Sequence, residues 1–144
     1  MKSFVFASIF FGIAFGQNIM IAAPLQGTRV SPGSNIVVDI QRPNSLSSSE
    51  EVAVVIAIQS CATSPCIPPT KSLGMILYNG HFNPQEPQLS SPNAGFQQPG
   101  QNFTIQIPPS LRNGSALITI THLALIGAGP IPWLEYQNVS LVVV

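Results

Sequence analysis

The sequence predicts an all-β protein, an immunoglobulin-like β-sandwich of about seven antiparallel strands preceded by a cleaved signal peptide. Three observations lead there. Apolar residues alternate with polar ones at a period of two in most of the apolar stretches, as in Phe103, Ile105 and Ile107 against Thr104 and Gln106. Clusters of Pro, Gly and Asn punctuate those stretches. Finally, Gln101 to Leu125 reads as strand, corner, strand: Pro108-Pro109 ends one strand, Asn113-Gly114 turns the chain, and Ala116, Ile118 and Ile120 resume the alternation. Such a unit stitches the two sheets of a sandwich together.

The elements follow in order. Lys2, the apolar run Phe4 to Phe15, and small residues at Ala14 and Gly16 have the layout of a secretory signal over residues 1–16. The run is shorter than the roughly 20 residues that span a bilayer. Cleavage is expected before Gln17, which leaves residues 17–144 as one domain of a size that buries a real core. Ile19 to Ile21 reads as a first strand ended at Pro24, and Val30 lies between turn signals in a kinked edge strand. Ile36, Val38 and Ile40 mark the next strand. Glu51 to Gln59 is apolar on both faces, as suits a central strand; a buried helix is the rival, but β-branched residues dominate and nine residues is strand length. Leu73 to Tyr78 is a further strand turned by Asn79-Gly80, and Trp133 to Val144 is the last.

Two strands lose phase. Ile118 and Ile120 do not share parity with Leu123 and Leu125, nor Leu134 and Tyr136 with Val139 and Leu141. One extra residue restores each, which predicts bulges near Thr121–Leu123 and Gln137–Asn138. The expected core is Ile36, Val38, Ile40, Val52, Val54, Ile56, Ile58, Phe103, Ile105, Ile107, Ile118, Ile120, Val139 and Leu141.

Composition narrows the function. Charged residues are only 7% of the chain and the formal net charge is zero, so there is no basic patch for nucleic acid and no lysine-rich amphipathic helix for a membrane surface. Three sequons, at Asn102, Asn113 and Asn138, fall on the wet parity of strands or in a turn, where N-glycans supply solubility. Cys61 and Cys66 are the only cysteines. In an exported chain they are expected to pair, free thiols or a metal being the alternatives; closing so short a loop contributes roughly 2 kcal/mol.

Catalytic chemistry finds no footing. His122 lies in an apolar strand and reads as a hydrogen-bonded structural histidine. Glu50 and Glu51 point to opposite faces, which makes a poor acid/base pair. No G-x-S-x-G elbow exists, and Gly127-Ala128-Gly129-Pro130 lacks the lysine and helix of a phosphate loop. A copper oxygenase would need an N-terminal His where cleavage leaves Gln17. No catalytic residue, cofactor or metal is therefore expected. The long irregular segment from His81 to Gly100 reads as a binding loop or a plain connector. Within it His81, Phe82 and Phe96 are candidate partner contacts, with loop packing the duller role for the two aromatics.

The blocks APLQGTRVSPG, NIVVDI, EVAVVIAIQSC, LGMILYNGHFNPQ, QNFTIQIP and THLALIGAGPIPWLEYQNVSLVV, in this order and spacing, resemble the necrosis-inducing secreted protein family of fungal effectors. The resemblance runs from about Ile19 to Val144. It implies a small extracellular protein, acting in the host apoplast or host cytoplasm, that dampens plant pattern-triggered immunity. It does so by associating with immune receptor-like kinases and their cytoplasmic partner kinases, and some members provoke plant cell death. It implies no catalytic residues. The alternative function is an adhesion module of the fungal surface or wall.

Overall fold

The computed structural model describes residues 18–88 and 98–144. The predicted signal peptide and Phe96 lie outside the described residues. Eight strands form two layers: β1 (Met20–Ala23), β2 (Thr28–Val30), β3 (Asn35–Gln41), β4 (Ser49–Ser60), β5 (Met75–Gly80), β6 (Gly100–Gln106), β7 (Gly114–Ile126) and β8 (Ile131–Val143). One sheet has the order β1-β3-β6 and the other β2-β8-β7-β4-β5. The sandwich read from the sequence is the fold, with eight strands in place of about seven. One pair departs from the antiparallel expectation, since β2 runs parallel to β8 from Thr28↔Leu141 to Val30↔Val143.

The strand–corner–strand unit crosses between layers as its residues require. β6 belongs to the three-stranded sheet and β7 to the five-stranded one. Ile107 still bonds the start of β3, donating to Ser34 and accepting from Gly33, before Pro108 and Pro109 end the ladder. Leu111 is then buried under the corner.

The core lies between the inner faces. Val38 and Ile40 of β3 and Phe103 and Ile105 of β6 face Val54, Ile56 and Ile58 of β4, Ile118 and Ile120 of β7, and Val139 and Leu141 of β8; all are buried. Each fully buried isoleucine contributes about 1.5–3 kcal/mol by leaving water. The row Ile56, Ile58, Ile118 and Ile120 therefore outweighs the roughly 2 kcal/mol of the short disulfide loop. Two expected core residues differ: Ile36 is only partly buried, and Val52 is half-buried where β4 bulges.

The predicted bulges are not where phase counting placed them. β7 and β8 pair without interruption from Gly114↔Val143 to Ile126↔Ile131. The register shift lies across the ladder on β4, between Glu51 and Ala53. Both long strands stay regular because polar residues occupy their inward positions: His122 continues the buried row Ile118, Ile120, and Glu135 the row Val139, Leu141. Asn79-Gly80, expected to turn, remains in β5; the shift in that pair falls between Ile56 and Ala57.

Gly74, just before β5, has φ +82°, and a Cβ there would run into the Ile58 carbonyl oxygen. Gly127 has a similar φ of +81° but open space around it. Gly74→Ala is expected to destabilise by about 1–3 kcal/mol, and Gly127→Ala by less, because only the first adds a clash to the backbone strain. Urea denaturation of both variants measures the difference; equal losses would contradict the clash.

Candidate functional site

The inward polar residues of three adjacent strands meet at one end of the sandwich. β7 brings His122, fully buried, directly opposite Glu135 of β8. The β4 bulge turns Glu51 inward beside them, while Glu50 stays exposed, so the two acids do point apart. His122 Nδ1 lies 2.8 Å from Glu135 Oε1 and Nε2 lies 2.5 Å from Glu51 Oε2. A neutral imidazole would turn a lone pair toward one of two carboxylates; with an acceptor on each side, both ring nitrogens donate and the ring is an imidazolium.

The three-stranded sheet adds two donors, and Ser49 of β4 links one of them to Glu51. Arg42, just past β3 and buried, places Nε 3.0 Å from Glu51 Oε1 and donates through Nη2 to Ser49 Oγ at 2.7 Å. Ser49 donates in turn to Glu51 Oε1 at 2.9 Å. The backbone N–H of Ile19, at the entry to β1, donates to Glu135 Oε1 at 3.0 Å. Glu135 Oε2 is buried with no partner among the described residues. Two cations and two carboxylates thus close a neutral cluster that bonds both sheets.

Burial alone would push His122 down. The hydrogen bonds of Glu135 and Glu51 and their charges outweigh it, holding the ring above its ordinary 6.5. Burial likewise pushes Glu51 up, and the hydrogen bonds of His122 and Ser49 with the charges of His122 and Arg42 bring it below its ordinary 4.5. Both ring nitrogens of His122 are thus engaged by carboxylates and the ring is fully buried. The hydrogen bonding expected of a histidine in this apolar strand is present.

Phe82 is corrected by the structure. It is buried, its ring meeting His122 edge-on at 5.4 Å between centroids and lying 6.5 Å from Phe103. It takes the packing role and is no partner anchor. His81 is exposed, with its carbonyl held by the Tyr78 hydroxyl at 2.9 Å. The first part of the long loop is tied back by a bridge between Gln85 and Gly100.

Cys61 and Cys66 form a disulfide. Their loop is anchored to the sheet by Gln59, whose amide brackets Ile67, accepting from its N–H at 3.0 Å and donating to its carbonyl at 2.8 Å. Asn102, Asn113 and Asn138 are all exposed. Trp133 is 41% exposed, and with Ile131 and Leu134 it opens an apolar start to β8. Among the described residues no group of His, Cys, Asp and Glu is suited to a metal ion, and no helix is long and apolar enough to cross a membrane.

Arg42, Glu51 and Glu135 escaped the sequence reading as partners of His122. The signal was present as the lost phase of β7 and β8. Keeping both strands regular puts His122 and Glu135 inside together.

The sequence matches the family described as the Nis1 family over residues 8–142. No curated protein matches it. Among solved structures, a cellulose-active polysaccharide monooxygenase from M. thermophila is similar at 15% sequence identity and a TM-score of 0.49. The likeness covers 82% of this chain and 54% of that one, so this chain spans little more than half of its length.

The cluster fixes a pH window. The Glu51 contribution is present above pH 4.5 and lost as pH falls through its lowered value; that of His122 is complete below 6.5 and lost as pH rises through its raised value. Unfolding free energy is expected to be flat between these limits and to decline on both sides. His122→Ala leaves two carboxylates facing each other, costs about 3–5 kcal/mol and removes the alkaline decline. Denaturant titrations across pH check both, and an alkaline limb that survives the substitution would contradict the assignment.

Proposed function

The chain belongs to the Nis1 family, whose members are fungal effector-type proteins, and on that premise we propose that it is a secreted, non-enzymatic effector that lowers plant immune signalling by binding a host receptor-like kinase. The match across residues 8–142 carries the reading. The geometry of the polar cluster supports it. The one buried histidine spends both nitrogens on carboxylates, which leaves its cluster a structural role. An effector of this kind acts through its surface, and the low charge and exposed apolar side chains of this chain suit contact with another protein. The disulfide agrees with an oxidising, extracellular route.

Purification of the tagged mature protein from plant tissue tests the proposal. Receptor-like kinases are expected to be enriched over a control secreted sandwich of similar size, and immune output triggered by a microbial pattern is expected to fall. Equal recovery of kinases with the control would overturn the proposal. Retention in the fungal wall fraction would move the assignment to the wall-associated alternative.

A further inference from the structure

β8 has an open edge. In an antiparallel strand each residue sends its N–H and C=O to the same side, and the side alternates residue by residue. Ser140 sends both away from β7: its N–H donates to Gln26 Oε1 at 3.1 Å and its carbonyl accepts from the Gly27 N–H at 2.8 Å. Pairing with β7 is unbroken back to Ile131, so Asn138, Tyr136 and Leu134 send theirs the same way. β2 fills this lane only beside Leu141 to Val143. Among the described residues no strand flanks β8 from Ile131 to Asn138.

A cleft of about 500 Å³ adjoins the lane, between Gln137–Val139 and the wall formed by β1 and Leu25. None of its lining residues is charged, and Met20 and Leu25 on the wall and Leu134 on the edge are exposed. Long exposed edges invite strand addition, and charges or prolines usually blunt them. Here Pro132, which has no N–H to offer, closes the far end, and the one charge of the stretch, Glu135, is turned inward and engaged by His122 and the Ile19 N–H.

We propose that this lane is a docking site for an extended, uncharged strand of a partner protein, which adds to the five-stranded sheet end to end with β2. The inference rests on the partner-binding reading above and names its surface. Backbone bonds from Leu134, Tyr136 and Asn138 supply affinity, and the cleft, lined by amide and apolar side chains without a charge, selects a neutral segment. The Asn138 side chain leaves from the outer face of the sheet, opposite buried Val139, so a glycan there does not fill the lane.

Leu134→Pro removes one outward N–H without touching a bond to β7, and Leu134→Thr keeps it. The probe is a capped neutral hexapeptide of alternating Val and Thr, titrated into ¹⁵N-labelled mature protein. The amides of Leu134, Tyr136 and Asn138 are expected to gain protection from exchange. Leu134→Pro is expected to weaken binding about tenfold and Leu134→Thr by less than about threefold, at unchanged thermal stability. Protection elsewhere, equal binding by the two variants, or no binding at about 1 mM peptide would overturn the lane. So would a concentration-dependent dimer that protects these amides without peptide. Because the probe contains no host protein, its failure leaves kinase binding standing; undiminished kinase recovery by Leu134→Pro would likewise overturn the lane alone.

Discussion

An imidazolium held between a buried and a partly buried carboxylate fixes how the layers meet at one end of this sandwich. Apolar packing between the sheets is strong but carries little directional information. The cluster adds direction. Glu51, His122 and Glu135 come from three neighbouring strands of one sheet, while Arg42 and the Ile19 N–H come from the other. Burying such charges costs stability when a partner is lost, so the cluster goes with one register and one β4 bulge. Phe82 then closes its flank and draws the long loop back onto the core.

The same arrangement explains which parts of the fold were legible in the sequence. β6, the Pro108-Pro109 corner and the start of β7 were readable because alternation, chain stop and turn all agree there. β4 was readable by its β-branched residues and length. The far halves of β7 and β8 were misread, because an ion pair facing inward looks, residue by residue, like a strand that has slipped by one. Apolar residues on the outer face, Leu123 and Leu134 among them, completed the disguise. The β2–β8 pair spans more than a hundred residues of sequence and is parallel, so no local pattern announces it. Phe82 was ambiguous because a loop aromatic packs or protrudes according to what lies beneath it.

Surface properties follow from the scarcity of charge. A sandwich with so few ionised groups relies on its amide and hydroxyl side chains and the shielding of its edges to stay apart from its neighbours. β2 and Gln26 shield the last part of β8. Among the described residues no strand flanks the stretch before it, which lies beside an uncharged cleft.

The account stands most directly on the protonation of His122. Nitrogen-15 spectroscopy of the imidazole side chain at about pH 6 reads it without altering the protein. Two protonated, hydrogen-bonded ring nitrogens, shielded from solvent exchange, are the predicted result. One bare nitrogen, or a ring exchanging freely with water, would contradict it.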